Sequence, residues 1–313
     1  MRTPPKLAVP PSSEAVTAEV RKLLRAAEVG SQLPTPKARI LACARLVETG
    51  ELDLAEYEQS FSEKASGFFY KAMKKVLGFL DRRTKQIYVD PQLHDSRKRF
   101  VTFHEVIHRV VPWQHIERTE DDELTLNFSC NTLFESEANY GAAEILFQCD
   151  RFETEARDYG LSVASALHLS DKYEASCHAS LRRFVERNHR PCLLLVLKPT
   201  SRANTGGKTS FFIHHSIPSP PFILQFGDPF SQPYINPDHE LGQILNNGSQ
   251  GEIGLSDLKG FCRPCVVECF SNQYTLFVMI HPKDISPSRR TVLFVPPDFV
   301  ESDQPNLRCG RGS

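Results

Sequence analysis

Apolar positions recur at helical spacing through much of the first 190 residues and at strand spacing through most of the remainder. Val16, Val20, Leu23, Leu24 and Ala27 form one face of a helix over residues 14–27, opened by Ser13. Pro34 and Pro36 break the chain, and a second helix is predicted from Ala38 to Thr49, closed by Gly50. A third runs from Leu54 into Phe68–Phe69–Tyr70. Val76–Leu80 and Gln86–Val89, separated by the polar run 81–85, read as a β-hairpin. After Pro91, Asp95 or Ser96 can cap a helix carrying Phe100, Phe103, Ile107 and Val110 on its apolar flank, and Pro112 stops it. Polar residues 113–124 read as a loop, and a long helical pattern then covers Thr125–Asp150. Two short helices joined by a turn fill Leu161–Arg187, with Val163, Leu167, Leu181, Phe184 and Val185 as core candidates. From Pro191 the chain is β-rich: Cys192–Leu197, Ser210–His214, Phe222–Phe226, Cys265–Phe270, Tyr274–His281 and Thr291–Val295 read as strands, and Asp238–Leu245 as a helix.

The helix before Pro112 contains His104–Glu105–Val106–Ile107–His108, an H-E-x-x-H sequence. Two imidazoles four residues apart point the same way and can grip one zinc ion. Glu105 lies about 100° further round the helix, placed to take a proton from zinc-bound water without being a ligand. So short a pattern recurs by chance, so a third ligand is required. Within Thr125–Asp150, Glu135 shares a face with Ala138, Asn139, Ala142 and Leu146. The small residues let the two helices approach closely, making Glu135 the candidate third ligand. Glu137 lies about 200° round from it and points elsewhere.

A chain of 313 residues can build two or three domains. No apolar run is long enough to span a bilayer, and the N-terminus lacks a signal-peptide core, so a cytoplasmic protein that does not enter membranes is expected. Nine cysteines without framework spacing read as free thiols in a reducing compartment. The net charge of −1 hides a segregation: residues 1–100 hold 18 Lys/Arg against 12 Asp/Glu, and residues 101–160 hold 4 against 13. The acidic stretch suits a cation site, and two solvated helix faces would give the same count. Lys71, Lys74, Lys75, Arg82, Arg83, Lys85, Arg97, Lys98 and Arg99 form a basic run just before the H-E-x-x-H helix. It is either a solvated surface or a nucleic-acid face.

Arg99–Phe100–x–Thr102, the H-E-x-x-H sequence, and Glu135–x–Glu137–Ala138–Asn139–x–x–Ala142–Ala143–x–Ile145–Leu146 together resemble the ImmA/IrrE family of zinc metallo-endopeptidases over residues 76–147. The chain departs from many members in having Phe147–Gln148 where they carry Met-Pro. The resemblance implies His104, His108 and Glu135 as zinc ligands and Glu105 as general base. It implies an α+β chain with a zincin-like helical metallopeptidase domain and small β-sheet at 14–150; the proline-rich residues 1–13 before it read as a disordered tail. A helix-turn-helix-like segment at 151–189, a GAF-like α/β sensor domain at 190–301 and a loose tail at 302–313 would follow. The implied substrate is a helix-turn-helix repressor whose cleavage releases a stress, DNA-damage or anti-phage response. Single-stranded DNA on the basic run, or a small ligand of the C-terminal domain, would be the trigger. The alternative is a DNA-binding regulator with a purely structural zinc, for which an intact Glu105 would have no use.

Other candidates are weaker. A metzincin pattern would need glycine and histidine where Val111 and Gln114 stand. His115 reads as a loop residue or a transition-state donor. Cys130 could silence the zinc as a thiolate, but its helical position turns it away from the Glu135 face. Cys262–x–x–Cys265, with Cys269 beyond, lacks a second pair and reads as buried strand thiols rather than a metal or redox site.

Overall fold

The computed structural model describes residues 9–50, 78–82, 84–116, 128–203, 209–247, 250–272 and 275–283. The expected helix at 54–70, the C-terminal tail, the strand at Thr291–Val295 and residues 1–8 of the expected N-terminal tail lie outside them. Residues 9–13 of that tail are described and lead into the first helix, which begins at Ser13.

Helix α1 spans Ser13–Ala26 and buries Val16, Val20 and Leu23. Ser12 occupies its N-cap position, yet its hydroxyl makes no capping bond. Helix α2 covers only Lys37–Ala44, because Arg45 turns left-handed at φ 56°. Residues expected to continue the helix instead form β1, Val47–Thr49, parallel to β3, Gln86–Val89. Val47 and Thr49 are β-branched, and pairing along β3 wins over a weak helical preference. Strand β2, Gly78–Asp81, runs antiparallel to β3, so the expected hairpin is present and the sheet order is β1-β3-β2.

Helix α3, Asp95–Val110, carries the H-E-x-x-H residues. Its cap is His94, whose Nδ1 accepts from the Ser96 amide at 3.3 Å, one residue before the expected cap. Beyond Pro112 a single turn, α4 (Trp113–Ile116), replaces the start of the expected loop. Helix α5, Phe128–Leu146, ends before Asp150 because Gln148 and Cys149 both take positive φ, and a short α6, Arg151–Ala156, follows. At the α3–α5 crossing, a Cβ on Gly141 would stand 2.6 Å from Ile107 Cδ1. With Ala138 and Ala142 fully buried beside it, the crossing is as close as the small residues suggested.

Helices α7 (Val163–Tyr173) and α8 (Cys177–Glu186) are capped by the Ser162 and Ser176 hydroxyls. They cover one face of a six-stranded antiparallel sheet ordered β6-β5-β4-β9-β8-β7. Its strands are β4 (Leu193–Ala203), β5 (Thr209–Pro218), β6 (Tyr234–Ile235), β7 (Gln250–Ser256), β8 (Cys262–Ser271) and β9 (Leu276–Pro282). Leu193, Leu195 and Leu197 point into a core with α9 (Pro220–Phe226) and α10 (Glu240–Asn247). Cys192, Leu194 and Val196 point the other way, into a core that runs without a break through α7 and α8 to Phe103, Ile107 and Ala138. The segment expected as a strand at Phe222–Phe226 is helical. Ser219 accepts from the Phe222 amide, and the prolines at 220 and 221 sit where a first turn needs no donor.

Candidate metal centre

His104 and His108 project from successive turns of α3 toward Glu135 on α5. Their Nε2 atoms are 3.1 Å apart. Glu135 Oε2 lies 3.2 Å from His104 Nε2, and Oε1 lies 3.5 Å from His108 Nε2. Zinc held tetrahedrally by ligands about 2.0–2.2 Å away separates them by about 3.3–3.6 Å. The triangle thus has nearly the edges such an ion demands, and two nitrogens with one carboxylate are donors zinc accepts. Among the described residues this is the one group of three such side chains that could hold a metal.

The three groups also interact with one another. Hydrogen bonds from His104 and His108 hold the Glu135 carboxyl well below the usual carboxylate range, against the cost of burial. Burial disfavours charge on His104, but the Glu135 hydrogen bond and the charges of Glu105 and Glu135 outweigh it and raise its pKa.

Each imidazole is also held from behind. His104 Nδ1 lies 3.2 Å from Asn139 Oδ1, one helical turn beyond Glu135. His108 Nδ1 lies 2.8 Å from Gln114 Oε1 in α4. Glu137 turns away from the donor triangle, as its helical position predicts, but it is buried and receives Gln114 Nε2 at 2.7 Å and Trp113 Nε1 at 3.0 Å. The Ser12 hydroxyl that leaves α1 uncapped donates to the same carboxylate. Asn139 was legible from its spacing to Glu135. Gln114 carried no signal, since it follows the helix-stopping proline and reaches back only in three dimensions.

Glu105 is buried on the flank facing β2. A Cβ on Gly78 would stand 2.1 Å from Val101 Cγ1 and 3.6 Å from Glu105 Oε1, so glycine brings the strand down onto this helix. Among the described residues β2 is an outer strand of its sheet, and one of its hydrogen-bonding edges lies away from β3. Thr102 Oγ1 lies 2.7 Å from Glu48 Oε2, tying α3 to β1 as well.

On the opposite side, a cavity of about 950 Å³ opens beside Glu135 and Asn139. Phe100, Ala143 and Phe147 line it together with Ala179 and Arg182 of α8. The side chains of His115 and Cys130, and Lys71, Lys74, Lys75 and Arg83 of the basic run, lie outside the described residues. Of the rest of that run, Arg82 donates to the His108 carbonyl, Arg99 bonds the Thr35 carbonyl and Glu174, and Arg97 is exposed. Cys265 is buried and burial pushes the half-buried Cys269 thiol up to about 12, but Cys262, expected to be buried with them, is exposed at the start of β8.

Residues 67–185 match the family model of peptidase M78, the IrrE N-terminal-like domain. This segment is an ImmA/IrrE-family domain. The match takes in all four candidate residues of the centre and continues through α7 into α8. No curated protein sequence matches the chain. A Mycobacterium tuberculosis transcriptional regulator is a similar solved structure, at 10% identity and TM-score 0.44 over 85% of this chain and 75% of that one. Among the described residues no helix is long and apolar enough to cross a membrane.

Proposed function

We propose that this ImmA/IrrE-family protein is a zinc-dependent endopeptidase that cleaves a helix-turn-helix transcriptional repressor. The observation that carries the reading is the donor triangle of His104, His108 and Glu135, matched to zinc and flanked by the buried carboxylate of Glu105. Zinc bound there would supply a Lewis acid for a peptide carbonyl and for water. Glu105 would take the proton from the attacking water and deliver it to the leaving amine. The outer edge of β2 would hold the substrate backbone as an added strand next to Glu105, and the cavity walled by α5 and α8 would take its side chains. The repressor as substrate rests on the family resemblance.

The rival reading, a DNA-binding regulator with structural zinc, needs α8 to present its cations outward. Arg183 and Arg187 instead bind Glu144 and Glu153, and Arg182 binds Glu186. The deciding experiment incubates wild type and Glu105→Gln with helix-turn-helix repressors encoded near the gene. Zinc-dependent cutting by wild type alone supports the peptidase. Equal cutting by both proteins, or none by either, favours the regulator. Control by single-stranded DNA on the basic run, or by a small ligand of the C-terminal sheet, belongs to the same proposal. Stimulation of cleavage by single-stranded DNA that fades with salt would support the first.

A further inference from the structure

We propose that Glu137, acting through Gln114, fixes the proton of His108 on Nδ1 and so presents Nε2 as a ready metal donor. The inference rests on the metal reading only for its consequence; the proton's position follows from the hydrogen bonds themselves. Glu137 is 1% exposed and is approached by three donors: the Ser12 hydroxyl, Trp113 Nε1 and Gln114 Nε2. An indole N–H can only donate, so Glu137 Oε2 accepts from Trp113. Gln114 faces the same oxygen and therefore turns its NH2 group toward it, with the Phe134 carbonyl 3.5 Å away on the other side. Its carbonyl oxygen is left 2.8 Å from His108 Nδ1. An amide oxygen has no proton to give, so Nδ1 carries the hydrogen in either charge state: a charged His108 also donates from Nε2 toward Glu135, and a neutral His108 keeps its Nε2 lone pair. A glutamine alone does not enforce this, because its amide can flip end for end. Glu137 removes that freedom, and flipping fully buried Gln114 would set its NH2 against an N–H and its oxygen against a carboxylate.

The two ligand histidines are thus held unequally. His104 leans on Asn139, an exposed amide for which the described residues supply no second anchor of this kind. His108 leans on a buried relay whose members come from α4, α5 and the start of α1. Glu137 and Gln114 are positioning residues: both are buried, and both act through His108.

The test uses the full chain, free of metal, with ¹⁵N-labelled histidine, at alkaline pH where imidazoles are neutral. Imidazole NMR should show His108 as the Nδ1–H tautomer in wild type and a shift toward Nε2–H in Gln114→Met, which keeps the volume but not the acceptor. Glu137→Gln can still accept from Trp113 and Gln114 and should retain the wild-type tautomer, whereas Glu137→Leu should not. Zinc affinity, measured by chelator competition, should fall about 10- to 100-fold in Gln114→Met. Mixed tautomers in wild type, or an unchanged His108 signal in Gln114→Met, would overturn the proposal even if Glu137→Leu fails to fold. Wild type that binds no zinc but shows the Nδ1–H tautomer would sink the metal reading and leave the relay standing.

Discussion

Helices α3 and α5 cross beneath the donor triangle, and helix α8 meets α5 and α6; both contacts carry charged residues, with opposite results. Between α3 and α5, two imidazoles and a carboxylate converge at metal-like spacing, and Glu135 keeps 51% of its side chain exposed. Against α8, the guanidinium of Arg183 meets Glu144 and Glu153 with its side chain only 7% exposed, and Arg187 bridges the same two acids. Charges matched one against another spend their interactions on structure. Donors of like kind gathered at one point, with too few protons between them, are suited to a cation. Burial is costly in both places, and the second is not fully satisfied either. Among the described residues Glu153 Oε1 and Oε2 and Arg183 Nε are buried without a hydrogen-bond partner, but there opposite charges face each other at every contact.

The sharpest break of this comparison is at Glu105. Glu105→Gln should keep zinc, because Glu105 is outside the donor triangle, yet lower the cleavage rate by about 10²- to 10⁴-fold. Normal turnover with full zinc would mean the convergent set does no acid–base work. Next is Arg183→Met, which leaves Glu144 and Glu153 sharing Arg187 alone. Breaking a buried ion network of this kind costs roughly 3–5 kcal/mol. A thermal melt within a degree or two of wild type would show that α8 does not depend on those pairs.

A smaller, graded effect should follow from pH. In the metal-free fold His104 takes up its proton above the ordinary histidine value, and zinc must displace it. Zinc affinity should therefore rise with pH through and beyond about 6.5, by roughly tenfold per unit while one proton is displaced. A flat titration would indicate that His104 is not a ligand. The least change is expected from Arg182→Ala, which loses one partly exposed i,i+4 pair with Glu186. It should cost under about 1 kcal/mol and leave any nucleic-acid binding unaltered. A large loss of DNA binding would reopen the regulator reading.

What was legible in the residues was local. The apolar periodicity of α1, the H-E-x-x-H helix and the α7–α8 pair survive because burial of one helical face suffices to hold them. The spacing of His104 and His108, and the small residues around Glu135, needed only helical geometry to point at a metal. The departures occur where a distant partner outbid local preference. Val47–Thr49 became a strand because β3 offered it a ladder, and no signal within those three residues announces β3. Phe222–Phe226 departs for another reason: its capping serine and tandem prolines favour a helix start, but the apolar run reads equally well as a strand.

The chain's own order of residues determined the donor types, their helical registers and the alternation that gives β4 two buried faces. Only the tertiary structure decided that Gly141 could bring α5 against Ile107, that Gly78 would set β2 beside Glu105, and that Gln114 and Glu137 would stand behind His108. These depend on groups far apart in the chain meeting within a few ångströms, and such approaches are fixed by packing and hydrogen-bond satisfaction over the whole core.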